Sequence, residues 1–125
     1  MNEAPLASVT CTPAFGDLSI VFEFNASASS DLEDSPEALV VRWDWESDGV
    51  WDTPWSKNKV AEHQFASAGA YVVKVEVMDA YAESSIASVE VLVFEIIPEF
   101  GSLVAPVVFT VLAVAVASAA RARKR

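Results

Sequence analysis

Between residues 18 and 94 the apolar side chains return at every second position, in runs too short and too even for amphipathic helices. In LSIVFEFNAS, Ile20, Phe22 and Phe24 alternate with Val21, Glu23 and Asn25; in LVVRWDW, Leu39, Val41, Trp43 and Trp45 alternate with Val40, Arg42 and Asp44. AYVVKVEVMD repeats the pattern with Tyr71, Val73, Val75 and Val77 against Lys74 and Glu76, and IASVEVLVF continues it with Ala87, Val89, Val91 and Val93. An extended chain turns successive side chains to opposite faces, so each run predicts a strand with one buried face. Leu6 to Thr12 and Val60 to Phe65 add two more, and turn-rich stretches such as SASSDLEDSPE separate them. Six or seven short strands without intervening helices predict an all-β antiparallel sandwich.

Charge narrows the partners. Residues 1–102 carry all 18 acidic groups against Arg42, Lys57, Lys59 and Lys74, a formal charge of −14, while the final RARKR carries +4. A polyanionic body repels phosphate backbones, which argues against nucleic acid and for divalent cations or basic surfaces. The single cysteine, Cys11, cannot form an internal disulfide, so stability rests on packing or bound ions.

Leu103 to Ala120, LVAPVVFTVLAVAVASAA, is 18 residues without a charge. As a helix at 1.5 Å per residue it would span about 27 Å, close to a hydrocarbon core, and the basic end is what holds the cytoplasmic side of a membrane span. That orientation puts the acidic body outside the cell. MNEAPLASVTCTPAFG has no basic start followed by an apolar run, so the expectation is the end of a longer exported protein, a misplaced start, or a tail-anchored chain.

The stretch WDWESDGVWD sets out the candidate site. Numbered from Asp44, the acids fall at positions 1, 3, 5 and 9 (Asp44, Glu46, Asp48, Asp52) with Gly49 at 6 and the Val50 carbonyl at 7, which matches the first part of a calcium loop. Position 12 is Trp55 rather than a glutamate and no helices flank the loop, so an EF-hand is excluded. The set Asp44, Glu46, Asp48, Val50 and Asp52 is a candidate site for a structural calcium ion, against the plainer reading of a solvated Asp-Gly turn. Trp51 and Trp55 lie in the loop, where their rings either stack on sugars or cover the sandwich edge. Neither a nucleophile nor a base stands out, His63 alternates with Phe65 on a strand, and no enzyme is expected. Asn25-Ala26-Ser27 is an N-glycosylation triplet at a strand end.

WDW followed by Asp-Gly, then HQFASAGAYVVKVEVMD, resembles the PKD domain, an immunoglobulin-like sandwich of surface proteins; WDWESDG carries one residue more than the usual WDFGDG of that family. Pro98-Glu99-Phe100, the apolar run and the basic end resemble the PEF-CTERM sorting signal of archaeal surface proteins, which implies processing by an archaeosortase-type membrane enzyme. The resulting organisation is a PKD-like sandwich over residues 1–95, a linker over 96–102, a transmembrane helix over 103–120 and a cytoplasmic tail over 121–125. The expected function is a membrane-proximal spacer or adhesion module at the cell surface, with surface proteins or glycans as partners. The alternative is an accessory or carbohydrate-binding domain of a secreted hydrolase.

Overall fold

A computed structural model describes residues 2–96. Seven strands follow in order: β1 (Thr10–Thr12), β2 (Phe15–Asp17), β3 (Phe22–Asn25), β4 (Val40–Asp44), β5 (Val60–His63), β6 (Gly69–Met78) and β7 (Ser84–Phe94), with one 3-10 turn at Pro36–Ala38. They form two sheets, β1-β3-β5 and β2-β7-β6-β4, packed as a sandwich of the expected class. No helix among the described residues is long and apolar enough to cross a membrane. Pro98, Glu99, Phe100, the expected span and the basic tail lie outside the described residues.

The period of two places the core. Phe22 and Phe24 on β3 face Val41 and Trp43 on β4 and Val73, Val75 and Val77 on β6, all buried. Each such side chain contributes about 1.5–3 kcal/mol relative to an exposed one. Register follows from this burial: Val41 pairs with Val77 and Trp43 with Val75, and a slip of one residue would drive Lys74 and Glu76 inward. Rings tie the sheets together. Trp45 stacks on Trp43 with centroids 5.5 Å apart and on His63 at 4.5 Å, and Phe24 meets Trp45 at 5.2 Å.

Two expectations are corrected. The sandwich is not wholly antiparallel: β2 runs parallel to β7, Phe15 opposite Leu92. The chain leaves β1 in one sheet and, two residues later, joins the other as β2, a change of sheet through a bend that brings it alongside the end of β7. Gly16 permits the fit, since a Cβ there would lie 2.7 Å from Ile20 Cγ1. The expected strand Leu6 to Thr12 is reduced to Thr10–Thr12 plus one bridge between Leu6 and Ser30. Serine hydroxyls take its amides instead: Ala7 N–H donates to Ser85 Oγ and Ser8 N–H to Ser29 Oγ.

Those hydrogen bonds fix where the chain enters. Ser85 Oγ also donates to the Pro5 carbonyl, and Asn2 Nδ2 donates to Asp79, so residues 2–7 are pinned beside the start of β7. The 11 residues of β7 then run to the opposite end of the sandwich, about 33 Å away at about 3.3 Å per residue.

Candidate functional site

The loop after β4 is organised by Asp44. This residue is 2 % exposed, and its carboxylate turns back over the loop: Oδ1 accepts the amides of Glu46 and Asp48 (3.3 Å each) and Oδ2 that of Gly49 (3.2 Å). The tight path needs left-handed backbone at Ser47 (φ 56°) and Gly49 (φ 86°), which glycine supplies without steric cost. Asp48 Oδ1 accepts the Val50 amide at 3.0 Å, and Asp52 Oδ2 accepts the Trp45 amide at 2.8 Å. Of the expected calcium ligands, Asp44, Glu46 and Asp48 bring carboxylate oxygens within 4.8 Å of one another. Asp52 is not in that set. It is tied to the Trp45 amide and lies beside Glu46, whose carboxyl is pushed up by burial and then by the carboxylates of Asp52, Asp48 and Asp44. The Val50 side chain is exposed and its amide is taken by Asp48.

Trp51 and Trp55 do not stand free. They clamp the Arg42 guanidinium, 4.7 and 4.4 Å from the two ring centres. Glu76 holds Arg42 across the sheet at 2.7 Å and receives the Ser84 hydroxyl at 2.7 Å on its other oxygen. Beside them, the segment after the loop pairs with the edge of β4, Val41 and Ser56 exchanging backbone hydrogen bonds at 2.8 and 2.9 Å. Each ring therefore has Arg42 against one face, and both residues remain half-buried. His63, stacked on Trp45 and edge-on to Phe65 at 4.6 Å, packs as expected; burial lowers its pKa, with Asp52 partly opposing.

Sequence reasoning missed a second carboxylate group, Asp31, Asp34 and Asp79, at the end of the sandwich where the chain enters. Asp79 is 3 % exposed. Burial alone would raise its pKa, but hydrogen bonds from Asn2 Nδ2 (2.8 Å) and from the amides of Tyr81 (2.9 Å) and Glu83 (3.0 Å) outweigh this and hold it below the usual carboxylate value. Asp34 Oδ2 accepts the Ala80 amide and Asp31 Oδ1 those of Glu33 and Asp34. Asn2 Oδ1 and Asp31 Oδ2 are buried without a partner. Buried oxygens without donors beside three carboxylates are the chemistry a hard cation satisfies, so this group joins the 44–52 loop, where three amides already hydrogen-bond to Asp44, as a second set of oxygens suited to calcium. The only sequence signal was the pair of acidic residues three apart in SDLED, since Asp79 lies 45 residues beyond Asp34 and only the fold joins them.

A short two-sheet sandwich with an aromatic WDW strand, an Asp-Gly loop and a long final hairpin defines an immunoglobulin-like module. The chain belongs to the PKD domain family, whose model matches residues 7–93. Among solved structures, the chain is similar to one described under the structural basis for the promiscuous specificity of the carbohydrate-binding modules from the β-sandwich superfamily, at 29% identity and a TM-score of 0.65, over 76% of this chain and 36% of that one. This chain thus corresponds to little more than a third of that protein. It is also similar to the PKD1 domain of Vibrio anguillarum Epp (18% identity, TM-score 0.57, 77% of this chain and 100% of that one). The PKD domain of a peptidase from a Thermoplasmatales archaeon matches at 20% identity and a TM-score of 0.56, over 74% of this chain and 98% of that one. No curated protein matches the chain.

Proposed function

We propose that the chain is a membrane-proximal PKD module that spaces a partner module away from an archaeal-type cell surface, without catalysis of its own. The observation that carries this reading is the placement of entry and exit: residues 2–7 are pinned at the start of β7, and β7 delivers the chain at the far end, so the domain adds its full length to whatever it joins. Residues 103–120 anchor it in the membrane, with the basic end in the cytoplasm, and Pro98-Glu99-Phe100 addresses it to an archaeosortase-type processing enzyme. A structural calcium ion at Asp31, Asp34 and Asp79 would lock the entry segment to the sandwich through Asn2. The polyanionic body suits basic surface proteins as lateral partners and disfavours nucleic acid.

The test is domain replacement on intact archaeal cells. Residues 2–94 are exchanged for an unrelated sandwich of equal length, and the reach of a displayed binding module is read by capture of particles. A spacer tolerates the exchange, whereas loss of capture would transfer the function to a face of this domain. Protection of the native domain from protease on intact cells would refute the surface location altogether.

A second reading, an accessory domain of a secreted hydrolase that holds carbohydrate, is favoured by the likeness to the carbohydrate-binding-module structure. Its difficulty lies in the clamp, because Trp51 and Trp55 already spend one face each on Arg42. Retardation on polysaccharide gels that Trp51→Ala abolishes would support it.

A further inference from the structure

We propose that Asn25 is an acceptor for an N-linked oligosaccharide and that the folded sandwich itself presents it for transfer. Asn25-Ala26-Ser27 is the only triplet of acceptor spacing in the chain. Asn25 ends β3, the middle strand of the three-stranded sheet, and because Phe22 and Phe24 point into the core, Glu23 and Asn25 turn to the outer face. Thr10 and Val60 flank Asn25 in register, and Thr12 and Glu62 flank Glu23, so a sugar chain there would lie over largely polar surface.

The local geometry separates the two reacting positions from the one between them. Ala26 is fully buried and its amide donates to the Lys59 carbonyl at 2.8 Å, which holds the triplet in place from the inside. Ser27 is exposed, and the amide of Ser29 donates to the Ala26 carbonyl at 3.0 Å, reversing the chain directly after the acceptor. Asn25 Oδ1 accepts the Ser27 amide at 2.7 Å, which fixes the amide plane and engages its acceptor end. The donor end, Nδ2, has no hydrogen-bond partner among the described residues and is not among their buried unpaired atoms, so it faces solvent. The nitrogen that must react is thus free while the rest of the triplet is held.

In the transfer, Nδ2 bonds to the anomeric carbon of a lipid-phosphate-linked oligosaccharide. The bond from that carbon to the phosphate oxygen breaks, the phosphate leaves on the lipid with the electron pair, and one Nδ2 proton passes to a carboxylate of the transferase. No oxidation or reduction is involved. The glycan would coat the outer face of β1-β3-β5 and leave the Trp51-Arg42-Trp55 side, on the other sheet, uncovered.

The assay does not depend on the surface reading. The full chain, folded in detergent, is incubated with a single-subunit oligosaccharyltransferase and a lipid-diphosphate-linked oligosaccharide, and then digested with trypsin. Arg42 is the first basic residue, so the triplet falls within peptide 1–42. Mass spectrometry is expected to find one glycan on that peptide in the wild type and in Ser27→Thr, and none in Asn25→Gln or Ser27→Ala. Tryptophan fluorescence checks that each variant is folded. Failure of the folded wild type to accept a glycan, acceptance only after unfolding in urea, or a glycan that survives Asn25→Gln would overturn the proposal.

Discussion

Removing the Asp44 carboxylate separates a structural organiser from a metal ligand. Its three amide hydrogen bonds, at 3.2 to 3.3 Å, are long for charge-assisted bonds, which places each near about 1 kcal/mol rather than at the upper end of the range. Water can replace part of this, because Glu46, Asp48 and Gly49 are at the surface. Asp44→Ala should therefore cost about 2–3 kcal/mol, or roughly 10–15 °C in melting temperature for a domain of this size. Asp44→Asn keeps an acceptor for two amides and sets an NH2 group against the third, so about 1 kcal/mol is expected. Asp48→Ala removes one exposed hydrogen bond and should cost less still. The assay is urea unfolding of residues 1–96 in chelator, followed by the fluorescence of Trp43 and Trp45; related PKD domains whose structures were solved as separate chains match nearly their whole length here, which supports using the fragment. A loss below about 0.5 kcal/mol for Asp44→Ala would refute the organising role, since it would mean that the amides are equally well served by water.

Three further outcomes follow from the same structure. Trp55→Ala should cost about 0.5–2 kcal/mol by opening one side of the Arg42 clamp, and in Arg42→Met the same tryptophan change should cost less, a coupling that a double-mutant cycle reads directly. Calcium at one hundred times its dissociation constant should add about 2.7 kcal/mol of stability, an effect that Asp79→Asn removes and Asp48→Asn leaves, as measured by melting with and without chelator. In chelator, acid should destabilise the domain in two windows: His63, lowered by burial, withdraws stability as pH falls from its unfolded value near 6.5 toward its folded one, and Asp79, depressed by its hydrogen bonds, does so as pH falls from about 4. Glu46, raised in the fold, acts in the opposite sense, its stabilisation being present at low pH and lost as pH rises through its folded value. His63→Gln should flatten the upper window in a stability-against-pH profile.

What the sequence made legible was whatever alternates. Phe22 and Phe24, Val41 and Trp43, and Val73 to Val77 announce strands and their buried faces because burial of one face is a local property of an extended chain. β2 was not legible, because Phe15-Gly16-Asp17 is too short to show a period and its partner residues in β7 lie 77 positions away. The acidic loop was legible as a cluster but not in its roles. Spacing placed Asp44 first among the acids but did not show that, buried at the end of β4, its carboxylate accepts three amides of the loop. Likewise the Arg42 clamp and the Asn2-Asp31-Asp79 group join residues from separate strands and loops, so only the folded register reveals them.

An in-line spacer requires that the chain enter at one end of the sandwich and leave at the other. Spin labels at Glu3→Cys and Glu95→Cys, with the native thiol removed by Cys11→Ser, read that separation by pulsed electron resonance. From Ser85, where the entry segment is pinned, to Phe94 is nine strand residues, about 30 Å, and the label positions beyond each end bring the expected distance to roughly 30–40 Å. A single distance distribution in that range is predicted; a dominant distance below about 20 Å would place both ends on the same side and contradict the in-line spacer.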